Sequence, residues 1–359
     1  MSSPSAPAVS TLVCRPDDPV TRHELTRLGI SNRELTSLVA AGHLERVVRG
    51  VYGRPLVQPT PEASYLRTVR AVALLRNTTA CPVLTGPAAL VVHGLPLLGR
   101  PPSVVHVASA QSSGDKPNRL VRAVGEVPAD RVVDVGGVLV ARAADAVVDT
   151  ARLLTVEAAA AAADAGLRRG LVSVAELDEV CATRSGRTGV ARARRAVRLA
   201  TPLSESPGES WSAVVMDALG IPEPQRQEPL CDEDGFVGRV DFWWPGRHLA
   251  GEFDGRVKYG RTNPSGRPPE DVLWSEKLRE DRLRHMGVRV VRWTTTDLTH
   301  PTRLAARLLP ALGDRHRPQV AALGAGRGRT RARPAPTAAI CGWAGADPGR
   351  AARACLLYA

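Results

Sequence analysis

Lysine is scarce in this sequence, since only Lys116, Lys258 and Lys277 stand among its 48 basic residues. Arginine therefore supplies nearly all of the positive charge, and arginine keeps its proton in proteins, which excludes it as a general base. The six cysteines are far apart and form neither a C-x-x-C pair nor a Cys/His cluster at zinc spacing. We read them as reduced thiols of a cytoplasmic protein.

Long apolar runs are also missing. No run approaches the ~18 residues of a membrane-spanning helix, and the N-terminal residues lack the basic and apolar segments of a signal peptide. Between residues 61 and 200 there is no glycine-rich phosphate loop, G-x-S-x-G elbow or kinase signature. We therefore expect no membrane partner and no nucleotide cofactor.

The formal net charge of +12, with a pI near 10.3, favours a polyanionic partner such as nucleic acid. Half of this excess lies in residues 314–359, where eight arginines stand against two aspartates. This basic tail has low complexity, so we expect it to be disordered. Its R-G-R core either enters an AT-rich minor groove or is simply solvated.

Two short helices are marked near the N-terminus by capping boxes, one starting at Thr21 and one at Ser31. A small basic hairpin with a glycine at its turn follows over residues 43–54. Helix, tight turn, helix and basic ribbon is the plan of winged-helix DNA-binding domains. We expect Asn32 and Arg33 to read a groove of the DNA. On the hairpin, we expect three arginines to contact phosphates, namely Arg46, Arg49 and Arg54. The alternative is a helical hairpin used only for protein contacts.

The order H-E-L, G-I-S and L-V-A-A-G-H-L-E-R-V-V-R-G-V-Y within residues 21–52 resembles the N-terminal domain of AbiEi-type antitoxins. These are transcriptional regulators of type IV toxin–antitoxin systems, which act in phage defence. The later run L84-T-G-P-A-A-L-V-V-H-G-L-P96 looks like that family's helix after the wing. The resemblance implies a DNA partner and admits a cognate toxin protein as a second one.

Residues 61–200 read as alternating helices and strands, with one alanine-rich helix over 143–168 and a strand pair around a Gly136-Gly137 turn. The last helix of this segment carries an arginine face, formed by Arg192, Arg194, Arg195 and Arg198. That face either lies along phosphates or is solvated. The next 90 residues differ, because all three phenylalanines and five of the six tryptophans fall between positions 209 and 295. We infer a separate domain there.

Two short acidic strands stand out in that domain, residues 239–244 and 249–254. If residues 245–248 form the hairpin loop, Trp244 pairs with Leu249 and Asp241 lies opposite Glu252, with Cβ atoms about 4.5–5.5 Å apart. Two carboxylates that close favour a divalent ion with oxygen ligands, such as Mg²⁺ or Mn²⁺. The alternative is a solvated acidic strand face.

The run from Ser206 to Leu298 resembles PD-(D/E)xK nucleases of the very-short-patch-repair type, through P-G-E-S-W, R-V-D-F-x-W-P, G-E-F-D-G-R-x-K-Y and E-K-x-R-E-D. The resemblance implies that Asp241 and Glu252 hold the metal and that Glu209 supports it. Asp254 stands where the parent motif has its lysine, so the role passes to Lys258. Lys277 is the weaker candidate, because it also fits an ion pair with Asp281 one turn on.

Two functions follow from these resemblances. The first is a metal-dependent endonuclease that cuts or nicks DNA in defence or repair. The second is an AbiEi-like regulator or antitoxin whose nuclease-type fold has lost its activity. The fold class expected is multidomain α/β, with disordered residues 1–10, a winged helix-turn-helix domain over 11–60, a mixed α/β middle over 61–200, a PD-(D/E)xK nuclease-like domain over 201–313 and the tail 314–359.

Overall fold

The computed structural model describes residues 19–76, 83–108, 120–255 and 269–313, which confirm a mixed α/β protein. The chain divides into two compact units, the first ending at Val214 and the second beginning at Val215. The predicted disordered N-terminus, Lys258 and the basic tail lie outside the described residues. Within the described ranges, no helix combines the length and apolar character needed to cross a bilayer.

The first unit begins with two capped helices and a three-stranded sheet. Helices α1 (Arg22–Arg27) and α2 (Asn32–Ala40) are followed by the antiparallel β2–β3 ribbon, to which a short strand β1 adds in the order β1-β3-β2. A small core of Leu25, Ile30, Leu35 and Leu44 packs beneath them. The strands are β1 (Val20–Thr21), β2 (Glu45–Val48) and β3 (Val51–Gly53).

The middle of the first unit packs helices around two strand pairs, one parallel (β4–β5) and one antiparallel (β6–β7). The turn predicted at Gly136-Gly137 is confirmed, because β6 and β7 join there. The strands are β4 (Val105–Val107), β5 (Val121–Ala123), β6 (Val132–Val135) and β7 (Val138–Ala141); the helices are α3 (Pro61–Arg76), α4 (Gly86–Val92), α5 (Ala143–Leu153), α6 (Val156–Arg168), α7 (Val174–Thr183) and α8 (Val190–Leu199).

The prediction of one helix over residues 143–168 is wrong. The chain breaks at Leu154 and Thr155, and Thr155 caps the second helix by accepting a hydrogen bond from the backbone of Ala158 at 3.2 Å. The small alanine side chains let the two helices bury almost completely in the same core. Alanine favours helix on any face, so composition did not reveal where one helix stopped.

A network of buried charges crosses this core. Asp145 in α5 is fully buried, and it accepts hydrogen bonds from Arg131 at 3.2 Å and from Arg184 at 3.0 Å. Arg184 also lies 3.4 Å from Asp149. Burial raises the pKa of the Asp145 carboxyl, and the Arg131 and Arg184 guanidinium groups oppose that rise. The network ties α5 to α7 and to the short turn before β6.

The second unit is built on a four-stranded sheet in the order β11-β10-β9-β8, in which only the β10–β11 pair is parallel. The buried rings of Phe242 and Trp293 pack together with centroids 5.3 Å apart. Helix α9 (Pro207–Ala218) contains the division between the units. The other elements are β8 (Gln225–Asp232), β9 (Gly235–Trp244), β10 (Leu249–Phe253), α10 (Pro269–His285), β11 (Arg289–Trp293), α11 (Thr295–Thr299) and α12 (Pro301–Leu312).

Two features of this sheet differ from the sequence analysis. Strand β8 was not predicted. The alternation of residues 239–244 predicts a half-buried strand, whereas Phe242, Trp243 and Trp244 are buried in succession. Packing therefore covers both faces of β9 at its C-terminal end, and alternation alone did not reveal it.

Candidate nucleic-acid interface and acidic site

Both predicted capping boxes near the N-terminus are present. The hydroxyl of Thr21 accepts from the backbone of Glu24 at 3.2 Å, and the Glu24 carboxylate accepts from the backbone of Thr21 at 2.7 Å. Ser31 and Glu34 repeat the arrangement at 3.3 and 2.8 Å. Each box fixes where its helix begins. As a result, the first helical positions of α1 and α2 are equivalent, and they hold Arg22 and Asn32.

Asn32 and Arg33 are exposed on the first turn of α2. Asn32 is engaged by a residue that the sequence analysis missed. Arg22 donates to the Asn32 side-chain oxygen from Nε at 3.0 Å and from Nη2 at 2.6 Å. The signal available in the sequence was the repeated pattern of a capping hydroxyl, a polar residue and a glutamate three positions after the hydroxyl.

The three ribbon arginines lie at different points of the hairpin. Arg46 is exposed in β2 opposite Tyr52, and Arg49 is exposed in the connection beside Gly50, whose φ is +84°. A glycine suits this left-handed position because it has no Cβ to clash. Arg54 follows β3 and is partly buried. The ribbon thus presents Arg46 and Arg49 to solvent, while the backbone of Arg54 has a structural partner.

That partner is Arg67 of α3, which is only 3% exposed. Its guanidinium binds the Glu45 carboxylate at the start of β2 and the Arg54 carbonyl after the end of β3. Glu45 and Gly53 are opposite each other in the ribbon. A methyl group on Gly53 would overlap the guanidinium, so glycine there makes room for it. Arg67 therefore fixes the open end of the ribbon to α3.

In the second unit, the predicted hairpin register is confirmed for its described pairs. Trp244 pairs with Leu249, and the ladder continues to Phe242 opposite Gly251. Just beyond it, Asp241 Oδ2 accepts a hydrogen bond from the backbone of Phe253 at 2.9 Å, and Oδ1 accepts one from the side chain of Gln227 at 3.2 Å. Asp241 is thus held against β10 at the residue that follows Glu252.

Glu252 is held by two arginines that the sequence analysis did not single out. Arg279 of α10 donates to Oε1 at 2.6 Å, and Arg292 of β11 donates to Oε2 at 3.0 Å. Burial disfavours the charge of Arg292, but hydrogen bonds to Glu252 and to Glu280 outweigh it and raise the pKa of the guanidinium. Both carboxylate oxygens of Glu252 therefore already have cationic partners.

The position of Arg279 is built into the sheet. Gly238 of β9 has no side chain, and a Cβ there would overlap the Arg279 guanidinium. Arg279 also donates to the carbonyl of Arg239 at 3.0 Å. Sequence reasoning had no means of choosing this partner, because the chain offers arginines at many positions on α10 and β11.

Each of the other candidate catalytic residues that the structure describes has contacts of its own. Glu209 belongs to the first unit, where it accepts from the Ser206 hydroxyl at 2.7 Å and from the backbone of Glu205 at 2.9 Å at the start of α9. Asp254 is partly buried, and its backbone N–H donates to Trp293. The Lys277 ammonium lies over the Trp274 ring, 5.8 Å from its centre.

A hard cation such as Mg²⁺ needs several carboxylate or carbonyl oxygens around it. Among the residues that the structure describes, no group of three or more Asp, Glu, His or Cys side chains could hold a metal ion. Both carboxylate oxygens of Glu252 accept hydrogen bonds from guanidinium groups, and Oδ2 of Asp241 accepts one from a backbone N–H. This arrangement of the described donors does not fit Mg²⁺ or Mn²⁺.

No protein-family model matches the chain. Two uncharacterized proteins of Mycobacterium tuberculosis, MT2308 of strain CDC 1551 / Oshkosh and Rv2248 of strain ATCC 25618 / H37Rv, are each 33% identical to it over 146 residues. The match covers 40% of this chain and 51% of each relative. The chain therefore spans about half the length of these curated relatives, and their names assign no activity.

Proposed function

We propose that this chain is a DNA-binding regulator of the AbiEi-like kind, whose first two helices and ribbon form a winged helix-turn-helix domain. Helix α2 would enter the major groove with Asn32 and Arg33, while Arg46, Arg49 and Arg54 of the ribbon meet backbone phosphates. The observation that carries the proposal is the pairing of a capped, exposed polar helix start with a ribbon that presents Arg46 and Arg49 to solvent. A cognate toxin protein remains the proposed second partner.

The C-terminal sheet supports a regulator more than an enzyme. In a working metal site Asp241 and Glu252 would bind one cation between them. Here Glu252 of β10 instead pairs with one arginine of α10 and one of β11. Arg292 extends this set of ion pairs to Glu280 at 3.3 Å. We propose that this domain, of PD-(D/E)xK type, serves as a scaffold that holds DNA or the partner protein.

Removing both exposed ribbon arginines, in Arg46→Ala/Arg49→Ala, is expected to weaken binding to every duplex by about tenfold or more. The physical reason is that each phosphate contact releases counterions from the DNA. Losing one contact makes the slope of log affinity against log salt concentration shallower by about 0.9. Fluorescence anisotropy with a labelled duplex, repeated across salt concentrations, measures both quantities. The slope should become shallower by about 2.

The matched control is Arg100→Ala/Arg187→Ala, which removes two exposed arginines of the same unit from outside the ribbon. It should leave the salt slope close to that of the wild type. The proposal is rejected if the wild-type chain shows no duplex binding at low salt, or if the control loses as much affinity as the ribbon variant.

The second candidate function is the metal-dependent endonuclease, with Mg²⁺ or Mn²⁺ as the cofactor. One observation favours it: the contact of Asp241 with the backbone of Phe253 holds this acid beside Glu252, as the nuclease motif requires. For that function Glu252 would have to leave Arg279 and Arg292, and Lys258 would have to serve as the displaced motif lysine.

A nicking assay on supercoiled DNA separates the two functions. The regulator proposal predicts no nicking above background by the wild-type chain with either metal. Nicking by the wild type that disappears in both Asp241→Ala and Glu252→Ala would replace the regulator by the endonuclease. Isothermal titration calorimetry with Mn²⁺ gives a second readout that does not depend on activity. If the chain is a regulator, the wild type should show no Mn²⁺ binding that is lost in the Glu252→Ala variant.

A further inference from the structure

The contact between Arg22 and Asn32 restricts what Asn32 can recognise. Both residues occupy the first helical position after a capping hydroxyl, and both are exposed. Two N–H groups of one guanidinium, Nε–H and Nη2–H, converge on the single side-chain oxygen of Asn32 at 3.0 and 2.6 Å. These distances are those of full hydrogen bonds.

Arginine has five N–H donors and no acceptor, so only the oxygen of the Asn32 amide can face it. The amide NH₂ must then point away from Arg22. The two guanidinium hydrogen bonds converge on this one oxygen from the same side, so the acceptor end of the amide faces Arg22. Asn32 therefore keeps two donors, and its acceptor is engaged by Arg22.

An asparagine that reads adenine uses both ends of its amide, because it donates to N7 and accepts from the N6 amino group. For the second of these hydrogen bonds the adenine amino group must compete with Arg22, which already holds the Asn32 oxygen. Guanine instead presents two adjacent acceptors, N7 and O6, in the major groove. A side chain that only donates matches the guanine edge and leaves the adenine amino group without a partner.

On the basis of the proposed DNA-binding function, we propose that Arg22 determines the base preference of Asn32. By holding the amide oxygen, Arg22 makes Asn32 a hydrogen-bond donor, and the start of α2 reads a guanine rather than an adenine. Arg22 is a positioning residue in this scheme. Its effect is confined to one base position, whereas loss of a phosphate contact weakens binding to all sequences alike.

The test is selection of binding sites from a pool of random duplexes by the full chain, followed by sequencing. Asn32→Ala identifies the position that Asn32 reads, because the preference there disappears. The wild type should select guanine at that position. Arg22→Met frees the amide oxygen, so the ratio of adenine to guanine there should rise by about tenfold, the effect of one bidentate contact. Preferences at the other positions should stay as they are.

Arg27→Met is the matched control, since it removes an exposed arginine from the other end of α1. It should leave the ratio of adenine to guanine unchanged. If Arg22→Met does not fold, Arg22→Gln serves instead, because its amide does not impose two donors on Asn32, and the same shift toward adenine is expected.

Two outcomes overturn the inference while leaving the proposed function intact. One is a wild type that selects adenine at the position read by Asn32, and the other is an Arg22 variant that keeps the wild-type preference. A wild type that selects no sequence and binds no duplex would instead refute the proposed function itself. The two failures are therefore distinguishable.

Discussion

Asp145→Ala is expected to lower the free energy of unfolding of the first unit by about 3 kcal/mol, toward the lower end of the cost of breaking a buried ion pair. Asp145 is 0% exposed, and its Oδ1 accepts from both Arg131 and Arg184. Without the carboxylate, these two buried cations would face each other with less compensation. Asp149 and Glu179 remain near them, which limits the loss.

The change is best followed by far-ultraviolet circular dichroism during urea unfolding, because the first unit holds most of the helices described. Asp178→Ala is the control, since it removes an exposed carboxylate from α7, and surface substitutions of this kind usually cost under about 0.5 kcal/mol. An Asp145 variant that unfolds at the wild-type urea concentration would show that Arg131 and Arg184 do not depend on this carboxylate.

Gly251→Ala is expected to destabilise the second unit by about 3 kcal/mol, at the upper end for an overpacked core. A Cβ at this position would lie 2.6 and 2.8 Å from two ring atoms of Trp293 and 3.1 Å from Trp244. Both tryptophans are buried, so neither ring has solvent to move into. Strand β10 pairs on both sides, with β9 and β11, and cannot shift away either.

Tryptophan fluorescence measures this prediction selectively, because five of the six tryptophans belong to residues 215–359. Gly246→Ala is a close control, since no atom lies within 4 Å of a Cβ built there. It should unfold at nearly the same urea concentration as the wild type. If the two variants unfold at the same urea concentration, Trp293 and Trp244 do not pack tightly against Gly251.

Local patterns predicted the local structure well. A hydroxyl followed three residues later by a glutamate predicted the starts of α1 and α2, and the structure has both boxes. A four-residue loop predicted the Trp244 to Leu249 pairing, because strand side chains alternate and a loop length sets the register. These features depend on residues a few positions apart, which is why the sequence is sufficient for them.

The limits of each element were harder to predict. The alanine-rich segment contains two helices because Thr155 caps the second one, and alanine itself gives no periodic signal of a stop. Strand β8 was missed since its residues include Pro229 and several charged side chains, which favour loops in isolation. It is a strand because β9 supplies its hydrogen bonds.

The amino-acid sequence by itself determined the capped helices, the basic ribbon and the acidic hairpin, because each is fixed by neighbours in the chain. Only the tertiary structure decided the partners of the charges. Glu252 meets arginines 27 and 40 positions away, and Asn32 meets one 10 positions away. Opposite charges attract at any separation in sequence, so the backbone segments that pack together determine which charges pair. In this fold the packing brings two arginines to Glu252.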